Sequence, residues 1–189
     1  MKRFADRNLL KLNVSKCEII VFSNGSSTGA QLPECEVDGA VMPAGDVGKC
    51  LGFWWKGNLS ACKSVEENIM KSRRAFFHFG RIGAFQGDIS PLSSRSVMNT
   101  CVMPILLLGA ENWILTDTLV GKLESFQGEL AKRMLKWPKH FSNTAAAVVL
   151  DVPSMKCRLL ESKLGFLARV LRKGPNELAG RVVLSLCDD

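Results

Sequence analysis

Residues Ser96 to Leu115 read SVMNTCVMPILLLGAENWIL, and the reading of this stretch decides the fold. From Val97 to Leu108, apolar side chains occupy nearly every face of any helix drawn through it. A helix that is apolar all round is buried in protein or lies in a membrane. Crossing a bilayer takes ~20 apolar residues, and here Pro104, Gly109, Glu111 and Asn112 interrupt the run too soon. The stretch therefore reads as a buried central helix, kinked or broken near Pro104. Amphipathic helices carrying arginine and lysine flank it in sequence and are placed to wrap it.

Downstream, Thr116 or Asp117 caps a helix in which Leu119, Leu123, Phe126, Leu130 and Met134 recur at helical spacing, and Trp137-Pro138 ends it. A short helix near 144–150 follows. Pro153 opens another, carrying Leu159, Leu160, Leu164, Leu167, Val170 and Leu171, and Gly174-Pro175 stops it. A last helix runs from about Asn176 to Leu186. Upstream, Ser90-Pro91 starts the helix that leads into the central block. Before that, Ser60 or Ser64 caps a long helix reaching about Phe85, with Glu66 and Glu67 in its first turn. Its apolar stripe is Val65, Ile69, Phe76, Phe79 and Ile82, with Lys71, Arg73, Arg74 and Arg81 around it.

The N-terminal part reads differently. Residues 4–12 end a helix, with a turn at Asn13 and Ser15, and EIIVF at 18–22 has the composition of a buried strand. NGSSTG at 24–29 is a loop, and extended pieces at 35–37 and 40–42 flank an Asp38-Gly39 turn. Leu51–Lys56 is the last strand. The fold class is thus α+β and mostly helical: a small antiparallel β piece over 1–57, then a helical bundle over 58–189. Short strand pairs are marginal alone, so the N-terminal third is expected to be the less stable part.

At 189 residues, with 47% hydrophobic residues, the chain can bury one sizeable core or two small ones. A formal charge of +7 and a pI near 9.2 favour an acidic partner, nucleic acid before a membrane surface. Seven widely spaced cysteines read as reduced, mostly buried thiols inside a cell. Met1-Lys2-Arg3 is basic, but Leu9–Leu12 is too short for the apolar part of a signal peptide. No CxxC pair stands near His78 or His140, so no zinc site is expected. P-loop, GxGxxG, HExxH and GxSxG patterns are absent. Glu66-Glu67 and Asp188-Asp189 read as solvated charge, and Glu111 as a carboxylate that needs a structural partner in the apolar block.

Five segments, in order over about residues 9–172, resemble the reverse transcriptases of non-LTR (LINE-type) retrotransposons. LLKLNVSKCEIIVFS at 9–23 is similar to the segment that follows that family's catalytic motif. KCLGFWWK at 49–56 resembles its "YLG" strand, with Cys50 where an aromatic usually stands. Residues 69–82 match the "A/S-R-R-A" helix of the thumb. CVMPILLLGAENWIL at 101–115 resembles "v-x-P-x-L-L-Y-G-a-E-x-W", with Leu108 in place of the tyrosine. KLESFQGELAKRMLKWP at 122–138 resembles "KLE-x-x-Q-r-x-f-l-R-r-i-l-g-l-P".

The resemblance implies a remnant of the palm over 1–57 and a thumb-like helical region over 58–189. Lys16 would be the motif lysine near an incoming triphosphate, and Cys50, Leu51, Gly52 and Phe53 the primer grip. Lys71, Arg73, Arg74, Arg81, Lys132 and Arg133 would face template–primer, in keeping with basic helix faces that neutralise phosphates without reading sequence. Arg7 replaces the second aspartate in Phe4-Ala5-Asp6-Arg7, and no other set of carboxylates suits two-metal chemistry. The expectation is a polymerase fragment with no catalytic or metal-binding residues and no cofactor, magnesium belonging to the complete polymerase. Such a fragment would at most bind RNA, DNA or a hybrid duplex electrostatically and with weak selectivity. The rival expectation is a helical module that docks a protein through uncovered apolar surface, or a remnant without function. No membrane partner is expected.

Overall fold

A computed structural model of the chain describes residues 7–8, 13, 17–22, 35–37, 40–42, 44–50, 52–83, 90–173, 177 and 180. Lys16, Leu51, most of 4–12, the loop at 24–29, the Asp38-Gly39 turn and nearly all of 174–189 lie outside the described residues. The architecture is α+β and mostly helical. It divides into two units, Met1–Ser64 and Val65–Asp189.

In the first unit, β1 (Ile19–Ile20) pairs with β4 (Ala44–Gly45), β2 (Cys35–Val37) with β3 (Ala40–Met42), and β5 (Val47–Cys50) with β6 (Phe53–Lys56). The β2–β3 ladder is antiparallel and falls where the sequence placed it. EIIVF yields only two strand residues, and they pair in parallel, Ile19 with Ala44 and Ile20 with Gly45. The β piece is therefore not wholly antiparallel. The strand expected from Leu51 begins at Phe53, because an unforeseen partner, Val47–Cys50, forms a hairpin with it that closes at Cys50–Phe53. Gly52 lies in that turn at φ 88°, a conformation open to glycine at no steric cost.

α1 spans Cys62–Arg81. The Ser60 hydroxyl accepts from the Cys62 N–H at 3.5 Å. Ser64, the other candidate cap, is buried inside the helix, where its hydroxyl accepts from the Trp54 N–H (3.2 Å) and donates to the Trp54 carbonyl (2.9 Å). The earlier start moves Glu66 and Glu67 out of the first turn. Ile82 is 69% exposed and does not belong to the buried stripe. The inward face is instead Val65, Asn68, Ser72 and Phe76, all buried.

α2 (Pro91–Val97) starts as the sequence indicates: Ser90 caps it, accepting from the Ser93 N–H at 3.2 Å, and Pro91 takes its first turn. The helix then widens into a π-turn, Met98–Val102, and resumes as the single turn α3 (Met103–Leu106), with Pro104 at its start. Proline has no N–H to donate, and the π-turn ahead of it carries the chain through, the Met103 N–H reaching the Met98 carbonyl. Beyond Gly109 a 3₁₀ turn, Ala110–Asn112, ends the block. Met98, Val102, Leu106 and Ala110 are completely buried and Trp113 nearly so, which makes this block the centre of the second unit's core. Burial is one-sided, however, since Leu108 and Ile114 are exposed. Glu111 is half-buried on the 3₁₀ turn and so is not a carboxylate enclosed by apolar core.

α4 (Asp117–Met134) is capped by Thr116, whose hydroxyl accepts from the Leu119 N–H at 3.4 Å, and buries all five residues of the expected stripe. It ends at Met134, with Lys136 in the left-handed region. α5 (Asn143–Val149) packs against it at Gly128, where a Cβ would lie 2.4 Å from Asn143 Cγ and 2.5 Å from Asn143 Cβ. α6 (Met155–Arg172) follows Pro153, with Ser154 as cap. It buries Met155, Leu159 and Val170, but leaves Leu160, Leu164, Leu167 and Leu171 exposed. The burial expected of the cysteines is not found at Cys17 and Cys101, which are half-buried, or at Cys50, Cys62 and Cys157, which are exposed.

Candidate nucleic-acid interface

The six basic residues marked by the sequence lie on α1 and α4, and the structure divides them. Lys71, Arg74 and Arg81 on α1 form no ion pair with any described residue; Arg74 and Arg81 are exposed and Lys71 half-buried. Spaced three and seven residues apart, they share one face with the exposed His78, a row about 15 Å long at the helical rise. Arg73 points instead toward α4, where its guanidinium meets Glu129 Oε2 at 2.9 Å and lies 5.4 Å from the centre of the Phe126 ring. Arg133 holds the other oxygen of the same carboxylate, at 3.1 Å, and lies over the Phe77 ring at 5.1 Å. Lys132 is turned to a structural task, donating to the carbonyls of Lys139 (2.8 Å) and Phe141 (3.2 Å) and so closing the loop after α4.

Glu129 is thus the residue that sequence reasoning missed: one carboxylate holds two of the six cations. A second strut, Lys122 to Glu66 at 3.0 Å, ties the same two helices further toward the N-terminus of α1. Between the struts runs a shallow groove of about 370 Å³ lined by Ile69, Arg73, Ser125, Phe126 and Glu129. Three other cations of the second unit, Arg95, Lys163 and Arg158, have structural partners. Arg95 donates to the carbonyls of Leu150 and Asp151 and to the Asp151 carboxylate (2.6 Å), and Lys163 donates to the Trp113 carbonyl at 2.6 Å. Arg158 reaches Asn99 at 2.8 Å, and burial lowers its pKa from the ordinary arginine value, partly offset by the Glu161 carboxylate.

Of the primer-grip positions, Cys50 is exposed at the end of β5, Gly52 is in the turn and Phe53 is half-buried at the start of β6. They form a hairpin turn, not one continuous strand. Next to them, Trp54 has Lys63 Nζ 3.7 Å and Lys49 Nζ 5.6 Å from its ring centre.

A larger cavity, about 530 Å³, opens between α4 and α5 and is lined by Glu124, Ser125, Gln127, Asn143, Val148 and Met155 among others. Gln127 donates to the Pro153 carbonyl at 2.8 Å, while its own oxygen and that of Asn143 are buried without a partner among the described residues. Among the described residues, no three His, Cys, Asp or Glu side chains come together to hold a metal ion. Among the same residues, no helix is long and apolar enough to cross a membrane. No family model matches the chain, no curated protein is detectably similar to it, and no solved structure matches it.

Proposed function

We propose that the chain is a segment of a LINE-type reverse transcriptase that binds RNA–DNA template–primer duplex through the outer face of α1, without reading sequence and without catalysing extension. The observation that carries this reading is the row Lys71, Arg74 and Arg81, aligned on one helix face and left unpaired by the described residues. Its support from sequence is the ordered series of five family-like segments, in which Lys16 and the hairpin turn at 50–53 belong to the palm. Phosphate contact by these three cations has a defined electrostatic signature: the logarithm of the binding constant should fall with the logarithm of salt at a slope of about −2.7. The test is a titration of the purified chain with a labelled hybrid duplex across a salt series, with primer extension run on the same sample. Salt-sensitive binding without extension is the expected result. No binding at low salt, or binding with a flat salt response, refutes the reading.

A further inference from the structure

α6 carries two apolar stripes, and the described residues cover only one. The first, Met155, Leu159 and Val170, is buried in the core of the second unit. The second is Cys157, Leu160, Leu164, Leu167 and Leu171, which alternate at three and four residues and are all exposed, Leu164 to 65%. This is the a/d spacing of a coiled coil over about two heptads. The charges beside the stripe are sorted: Lys156 and Lys163 stand on one flank, and Glu161 with the uncharged Ala168 on the other.

We infer that this stripe is the contact between two copies of the chain, which pair through α6 as a short parallel two-stranded coil. The flanking charges select the occupant and its direction. In a parallel pair, Lys156 of each copy faces Glu161 of the other, five residues on, so two opposite-charge contacts form by symmetry. An antiparallel pair sets Glu161 and Lys163 against their own copies or against Ala168 and Val170, and makes no opposite-charge contact. The helix is already ordered by its buried face and its Ser154 cap, so pairing does not have to nucleate it. The seam is about 21 Å long and its area is small for an interface. A dissociation constant on the order of 10 µM is therefore expected. The inference rests on α6 alone and is independent of the nucleic-acid reading.

The experiment is sedimentation equilibrium of the full chain from about 1 to 100 µM at about 0.15 M salt, where charges are screened beyond ~8 Å. A dimer is expected. Leu164→Glu, an exposed position whose folding is checked by circular dichroism, should weaken it about a hundredfold and leave monomer throughout. Lys156→Glu should weaken it about fivefold, and the swap Lys156→Glu with Glu161→Lys should restore it. A bismaleimide applied to the unaltered chain should link Cys157 to Cys157, identified by mass spectrometry. A monomer at every concentration, a dimer indifferent to Leu164→Glu, or a dimer without the Cys157–Cys157 link each overturns the inference.

Discussion

Glu129 is where the proposed interface can be made stronger as well as weaker. Its carboxylate holds the guanidinium of Arg73 at 2.9 Å and that of Arg133 at 3.1 Å. Glu129→Gln keeps the shape and removes the charge, leaving both arginines beside their rings, Phe126 and Phe77, but free to turn toward phosphate. Each cation newly engaged adds ~0.9 to the salt slope, so the slope should steepen from about −2.7 to about −4.5. Over a fourfold rise in salt, the variant should lose about tenfold more affinity than the parent, having bound more tightly at the low end. The cost in stability is small, because the pairs are largely exposed: about 1 kcal/mol at most. Fluorescence anisotropy with a labelled hybrid across the salt series reads the binding, and urea unfolding reads the stability. An unchanged slope would show that Arg73 and Arg133 lie away from bound phosphate. The control has the opposite sign: replacing Arg74 and Arg81 with alanine should flatten the slope to about −1, and no change there would remove α1 from the interface altogether.

Four further outcomes follow from the packing. Gly128→Ala places a Cβ 2.5 Å from Asn143 Cβ, which is fixed to the α5 backbone, so it should destabilise the fold by about 1–2 kcal/mol despite alanine's better helix propensity. On the same helix, Gly121→Ala meets nothing within 4 Å and should stabilise by about 0.5–1 kcal/mol; equal effects in urea unfolding would contradict the α4–α5 contact. Asn68→Ala removes the donor to the carbonyls of Leu106 (3.3 Å) and Leu108 (2.9 Å) and should cost about 2 kcal/mol, whereas a loss below about 0.5 kcal/mol would mean that those carbonyls find other donors. Limited proteolysis should cut first within 1–57, where the described strands form only two-stranded ladders, and early cuts inside 62–172 would reverse that order of stability.

Local signals in the sequence carried much of the second unit. Ser90-Pro91, Thr116 and the α4 stripe each depend on residues within one or two turns, and each stands as read. The errors arise where the deciding partner is remote. Ile82 and Leu164 have the spacing of core residues, yet both are exposed, because periodicity defines a face without saying what covers it. Asn68 and Ser72 look like outer residues of an amphipathic helix, yet they face inward to the carbonyls around a π-turn that no pattern announced. The same limit governs the charges. Arg73 and Arg74 are neighbours with equal claims on a phosphate, and only a carboxylate 56 residues further along separates them. A count of lysines and arginines therefore gives the sign of the partner, while the number of cations free to meet it depends on the contact between α1 and α4. Salt slopes for Glu129→Gln and for the Arg74, Arg81 alanine pair measure that number from both sides, whereas a basic surface acting as a diffuse field would follow net charge alone, one unit gained in the first and two lost in the second.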